Sequence, residues 1–479
     1  MRIQPINFFI LSIALLGKPA FAEDLSLMIY NQNFAVVKEK ISLSLERGNN
    51  QYRYDKITST LEPESLMLRP LKEGWKVQVL EQRYLANPLA ENALLSLYEG
   101  QSINFLRENP AGDKLIQGKI IRSGWQDGTG GDPIIEVNGE FQFGLPGRPL
   151  FPAITAGQNL KPSLSWVLSS DKKGKTDLEL SYLTNDIYWK ADYNFLIDDS
   201  GKKADLVGWL SLTNRTGTSF KKANIQLLAG DVNRVQPQPM MQYAKHEAMA
   251  MMRQPVLASE RSLDEYHVYA IPFASDLLNG ETKQVQFLDA DNIDVTKRLV
   301  FDGAKRQPGV QPGAEYIRQN RQYGVESHED VWIMRGFKND EKSHLGVPLP
   351  QGKLRFYKRE QASGIQFVGE NMIEHTPKGE TVELYSGNAF DIVAKRSRTG
   401  ALFIEDKRTI SETFEIILRN HKKVAEKVFV VEHLDRTANW KIAEGKHTWK
   451  KLNSHTVETV VELPADAEVK VTYNVNYTW

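Results

Sequence analysis

The 479-residue chain contains no cysteine. That argues against a cysteine-modified lipid anchor and against a disulfide-built module, so stability has to come from core burial. Charge of one sign is missing too: 60 lysines and arginines meet 60 aspartates and glutamates. Such a balance leaves no electrostatic footprint for a nucleic-acid partner. Beyond a short apolar stretch near the N-terminus, no run approaches the length of a membrane-spanning helix. Helical periodicity is scarce, and only Ala90–Leu97 and Ser259–Tyr266 suggest helices.

What is present begins with an export signal. Arg2 is the one charge of a short leading segment, Phe9–Leu16 supplies the apolar stretch, and Ala20-Phe21-Ala22 matches the small-residue cleavage pattern. A mature chain starting at Glu23 is expected, in the periplasm or at the cell surface. Removing residues 1–22 takes away Arg2 and Lys18 and no acid, which leaves 58 basic against 60 acidic side chains, a formal charge of −2. No transmembrane segment is expected in the mature chain, whose 457 residues allow about three domains at roughly 150 residues each.

Period-2 alternation recurs from end to end. In DIYWKADYNFLID one face holds Ile187, Trp189, Ala191, Tyr193, Phe195 and Ile197; ETFEIILRN repeats the pattern with Phe414, Ile416 and Leu418, and KVFVVEHL with Val428 and Val430. The closing VKVTYNVNYTW sets Val469, Val471, Tyr473, Val475, Tyr477 and Trp479 on one face. Such a strand suits the last strand of an outer-membrane barrel or of a sandwich. The charges carried by LRFYKRE and KVFVVEHL favour the sandwich. Turn pairs such as Asn138-Gly139, Asn279-Gly280 and Lys378-Gly379 bound the segments. The expected class is all-β and multidomain, with immunoglobulin-like β-sandwich units and a small inserted β-barrel. The expected division is an N-terminal β-domain over 23–93, the barrel over 94–153, and a β-sandwich region over 154–408. A Met- and Pro-rich loop over 233–262 interrupts that region, and an immunoglobulin-like sandwich over 409–479 follows it.

Chemistry-bearing motifs are few. Met240, Met241, Met249, Met251 and Met252 crowd into thirteen residues with His246, a set of soft ligands that suits Cu(I); equally, methionines pack adaptively onto a neighbour. Asp289, Asp291 and Asp294 of DADNID could share Ca²⁺, although the loop lacks the glycine and the final acid of a calcium loop, Asp294 and Val300 standing there instead. Gly128, Gly130 and Gly131 of GTGGDP read as a hairpin turn, without the lysine of a phosphate-binding loop. The nine histidines form no H-E-x-x-H pair, His328-Glu329-Asp330 included. There is no G-x-S-x-G. No catalytic residue can be named and no cofactor is expected; carboxylate pairs of a hydrolase for envelope polymers stay open, because their separation is a property of the fold. Nine tryptophans offer recognition aromatics, with Trp125, Trp166, Trp440 and Trp449 as candidates and Trp189 and Trp209 assigned to the core.

Several long phrases resemble one family. LSYLTNDIYWKADYNFLID with LVGWLSLTNRTGTSFKKANIQLLAGDVNRV is similar to the signature block of the domain-of-unknown-function family 4139, which includes the mucoidy inhibitor A-like envelope proteins. VPLPQGKLRFYKREQASGIQFVGENMIEHTPKGETVELYSGNAFDIV resembles its second signature, and LRNHKKVAEKVFVVEHL with YNVNYTW its last. DEYHVYAIP, GETKQVQFLDA and the N-terminal IYNQNFAVVKEKISLSLERG also match the family's wording, so the likeness spans nearly the whole mature chain. It implies an all-β, exported protein with no assigned catalytic residues. The coiled coil typical of the mucoidy type is absent here, which weakens any link to capsule or exopolysaccharide control. The expected role is a non-enzymatic envelope protein that binds a protein or glycan partner or acts as a scaffold.

Overall fold

The computed structural model describes residues 24–85, 91–110, 112–126, 129–152, 162–230, 232–234, 259–263, 266–304 and 312–479. Almost all of its regular structure is strand. The chain divides into two compact units, one built from Met1–Trp189, Leu212–Asp231 and Glu260–Lys283, the other from Lys190–Ser211, Val232–Ser259 and Gln284–Trp479. Residues 1–22, expected to be an export signal, and the methionine-rich cluster lie outside the described residues.

In the first unit, the strand Leu25–Tyr30 lies between Phe34–Leu45 and Phe220–Ala229. It is antiparallel to the first and parallel to the second, with Leu27 opposite Ile225. Phe34–Leu45 in turn pairs over its whole length with Gly174–Asn185. These pairings cross the expected boundary at residue 154, so 23–93 does not form a sheet by itself. Local alternation marks these stretches as strand-rich but carries no record of the partner, nearly two hundred residues away in the first case.

A separate sheet takes Ser102–Arg107, Lys114–Arg122, Ile134–Val137, Glu140–Phe143 and Arg148–Leu150, within the stretch expected to form the barrel. The order places Glu140–Phe143 at one end and Arg148–Leu150 at the other, and among the described residues no ladder joins them, so the sheet is open where a closed barrel was expected. Asn138 (φ 54°) and Gly139 (φ 83°) connect two of its strands with Val137 facing Glu140, the two-residue turn that needs left-handed backbone at both positions. Its small core is Leu95, Tyr98, Ile103, Phe105, Ile120 and Ile135. Leu95 belongs to the helix Glu91–Ser96, where a helix was expected. The second expected helix is instead the strand Ser259–Leu263, and a helix forms at Ala314–Gln319 inside a polar stretch without apolar periodicity.

The second unit contains a nine-stranded sheet. Its order is Trp440–Ile442, Glu468–Thr478, Thr409–Asn420, Thr381–Ile404, Asp330–Lys338, Thr296–Asp302, Glu426–His433, Thr456–Leu463 and Lys450–Lys451. Strands from both ends of that order contribute to one core, which holds Val471, Tyr473, Val475 and Tyr477 together with Val428, Val430, Val457 and Val461. The sheet therefore doubles back into two facing layers. The apolar row of the last strand looks into this core, and only its final ring, Trp479, is 39% exposed. The expected boundary at 409 is not a break: Thr409–Asn420 pairs with Thr381–Ile404 from end to end, and the sheet reaches back to Thr296. Buried Asn420 closes the far end, its amide donating to the carbonyls of Val424, Leu463 and Pro464.

Glu39 of the first unit sits in register with the buried residues Val37 and Ile41, and accepts a 2.6 Å hydrogen bond from Tyr54. Burial raises its carboxyl above the ordinary value, more than Tyr54 and Lys56 lower it. A carboxyl raised in the folded state stabilises most when protonated and loses that contribution as pH rises through the folded value. Glu39→Gln keeps an acceptor for Tyr54 and removes the charge. We therefore predict a higher melting temperature than the parent at pH 7, with the two converging below about pH 4, where carboxyls are protonated in both states. An equal gap in thermal melts at both pH values would rule out this cause.

Candidate functional site

The site begins with charged residues that occur in phase with apolar rows. Along Thr409–Asn420 every second residue is buried, namely Ile410, Glu412, Phe414, Ile416, Leu418 and Asn420. Along Glu426–His433 the buried row is Val428, Val430 and Glu432. A buried carboxylate needs a partner. Glu432 receives the Arg396 guanidinium nitrogen Nε at 2.8 and 3.0 Å and the Tyr473 hydroxyl at 2.7 Å. Glu412 receives Arg436 at 2.9 and 3.2 Å and Arg398 at 2.9 Å.

These arginines have donors left over. Arg396 donates to the Gly324 carbonyl at 2.7 Å, and Arg436 to the carbonyls of Asn320 at 2.7 Å and Tyr323 at 3.1 Å. The polar segment after the helix Ala314–Gln319 is thereby held against the sheet. Burial disfavours the Arg396 charge, and Glu432 and Tyr473 beside it together more than offset this, so its pKa stands above the usual value. Tyr473 is held well above its ordinary value by burial and then by Glu432.

Tyr473 carries this framework to the surface, where Trp449 packs edge-on against it at 4.9 Å between ring centres. Trp440 stands opposite Tyr477 on the neighbouring strand, and its indole N–H donates to the Ser454 carbonyl at 2.7 Å. The connection from Trp440–Ile442 to Lys450–Lys451 joins the two end strands of the sheet. It forms an open groove lined by Trp440, Lys441, Glu444, His447, Trp449 and Val457. Lys451 lies over the Trp440 ring at 4.9 Å. His447 Nε2 is shielded from solvent and has no hydrogen-bond partner among the described residues. The groove thus offers two half-buried indoles, a cation, a carboxylate and one unsatisfied ring nitrogen.

Two of the four candidate tryptophans are brought together here. Trp166 is instead a core residue, 1% exposed, with its N–H on the Gln82 side-chain oxygen at 3.2 Å. Trp125 falls on the short strand Trp125–Gln126, which pairs with Thr129–Gly130 across the glycine-rich turn; Gly128 lies outside the described residues. Trp189 is core, as expected, whereas Trp209 lies on the half-buried face of its strand. The three aspartates of DADNID diverge. Asp289 accepts from Gln286 at 3.0 Å, Asp291 meets His344 Nδ1 at 2.9 Å, and Asp294 pairs with Lys203 at 2.7 Å. Among the described residues no three acidic or histidine side chains are grouped to hold a metal. Met240, Met241, His246, Met249, Met251 and Met252 lie outside the described residues.

His328 stacks on Trp332 at 5.5 Å. Asp302 meets His433 Nε2 at 2.9 and 2.8 Å, and the other ring nitrogen stands 3.4 Å from the Thr456 hydroxyl. The Asp302–His433 pair joins two parallel strands. No protein-family model matches the chain, and no curated protein does.

The network generates a ranking. Glu432→Gln leaves Arg396 charged, buried and poorly compensated, a change that costs about 3–5 kcal/mol when a buried pair loses one partner. Tyr473→Phe removes one hydrogen bond to a charge, worth about 1.5–3 kcal/mol. Urea denaturation of both variants should place Glu432→Gln lower; the reverse order would mean that the carboxylate is not what neutralises Arg396.

Proposed function

We propose that this chain is an exported, non-enzymatic envelope protein of the domain-of-unknown-function 4139 family, in a short form without the coiled coil, and that it binds a glycan through the Trp440–Trp449 groove. The carrying observation is the groove itself. Two indoles set on a rigid sheet edge suit the C–H faces of sugar rings, and Lys441, Glu444 and His447 supply polar contacts for hydroxyls. Trp440 stands on an end strand and Trp449 packs on Tyr473, whose hydroxyl is held by Glu432; this supports a preformed surface, which lowers the ordering cost of binding. A protein partner is the alternative reading. It is motivated by bare apolar side chains elsewhere, such as Phe141 and Phe143 at 69% and 78% exposure.

A glycan array probed with the protein and with Trp440→Ala and Trp449→Ala tests this. Loss of an anchoring aromatic costs about 2 kcal/mol, or roughly thirtyfold in affinity. We expect a restricted set of glycans bound by the parent and weakened to that degree in each variant. Undiminished binding by the double variant, or no glycan bound by the parent, would refute the proposal.

A further inference from the structure

A second site stands at another end of the same core, built from cations that the sheet forces together. Thr296–Asp302 and Asp330–Lys338 are antiparallel, and their register sets Lys297 directly across from Arg335, two places along from the Leu299–Ile333 pair. Like charges directly opposite one another repel. Lys422 arrives from the turn after Thr409–Asn420, its backbone N–H fixed by the Asn420 side chain at 2.9 Å.

One carboxylate serves this cluster. Glu426 Oε1 accepts from Lys422 at 2.7 Å and lies 3.5 Å from Lys297. Among the described residues the Arg335 side chain has neither a carboxylate partner nor a hydrogen bond, and its Nε is shielded from solvent. The contrast with Arg298, on the opposite face beside Lys297, is direct: that guanidinium contacts Glu383 at 3.1 Å and Glu458 at 2.6 Å. Three cations around one carboxylate leave two positive charges uncompensated. Burial lowers the pKa of Lys297, as do Lys422 and Arg335 nearby, and burial alone lowers that of Arg335. A partly buried arginine with an orphaned donor is stable only where something of opposite charge completes it.

We propose that Lys297, Arg335 and Lys422 form a binding site for a doubly charged oxyanion of the phosphate class. The two uncompensated charges match a phosphate dianion, and the planar guanidinium offers the fork of donors that such oxygens accept. The side chains of Lys297 and Lys422 are 36% and 25% exposed, which leaves the cluster reachable from solvent. Nothing in this inference depends on the tryptophan groove.

The test is a thermal melt and calorimetric titration of the whole protein with inorganic phosphate, set against chloride at equal ionic strength. Glucose 1-phosphate in a parallel arm distinguishes a free anion from one carried on a sugar. We expect saturable binding and a raised melting temperature with phosphate, and at least tenfold weaker binding in Arg335→Met. Without phosphate, Arg335→Met should melt no lower than the parent, since it removes an unpaired charge; a residue kept only for structure would not behave this way. Lys422→Met, which removes a second, partly exposed cation of the cluster, provides an independent check on the same response. If phosphate stabilises the parent no more than chloride does, or if both variants keep the full response, the proposal is overturned.

Discussion

Two carboxylates in an apolar interior set the terms for the second unit. Glu412 and Glu432 occupy positions where the strand period demands apolar side chains, and each is tolerated only because an arginine reaches it. Arg396 comes from the strand Thr381–Ile404 and Arg436 from the connection after Glu426–His433, and both carry spare donors. The same guanidinium groups therefore also fix the segment after Ala314–Gln319, whose carbonyls would otherwise lack partners against the sheet. Burying these charges ties four pieces of chain into one arrangement, and replacing the ions with apolar side chains would leave those carbonyls unpaired.

The surface features follow from that frame. Tyr473 links Glu432 to Trp449 and Tyr477 lies opposite Trp440, so the groove rests on two buried rings of the last strand, one of them fixed by a buried hydrogen bond. The Lys297–Arg335 pair shows the converse. There the register of two strands, chosen by the burial of Leu299 and its neighbours, brings like charges face to face. Apolar burial outweighs the repulsion at one end of a strand pair because the row behind it is longer.

Some of this is legible in the chain. Glu412 and Glu432 interrupt apolar rows in phase, a pattern that by itself marks both carboxylates as buried. Their partners are not legible. Arg396 precedes Glu432 by 36 residues, and Arg436 follows Glu412 by 24, with no local pattern connecting them. Trp440 and Trp449 stand out only as members of a tryptophan-rich composition, and Trp166, chosen on the same ground, proves to be core. Asp289 and Asp291 share one face of their strand and Asp294 follows the left-handed residue Asn292 (φ 56°), yet each is taken by a different partner.

The sequence by itself determined the all-β class, the inward faces of the strands around Trp189, Phe414, Val428 and Tyr473, and the Asn138-Gly139 turn, because period-2 burial and left-handed turn geometry are local properties of a few consecutive residues. The tertiary structure alone decided which strands pair. It set Leu25–Tyr30 beside Phe220–Ala229, extended one sheet from Thr296 to Thr478, and placed Lys297 across from Arg335. Any strand with one apolar face can pair with many others in the same chain. The choice among them depends on how all the apolar faces and buried charges are satisfied together, a sum taken over the folded molecule that no single segment records.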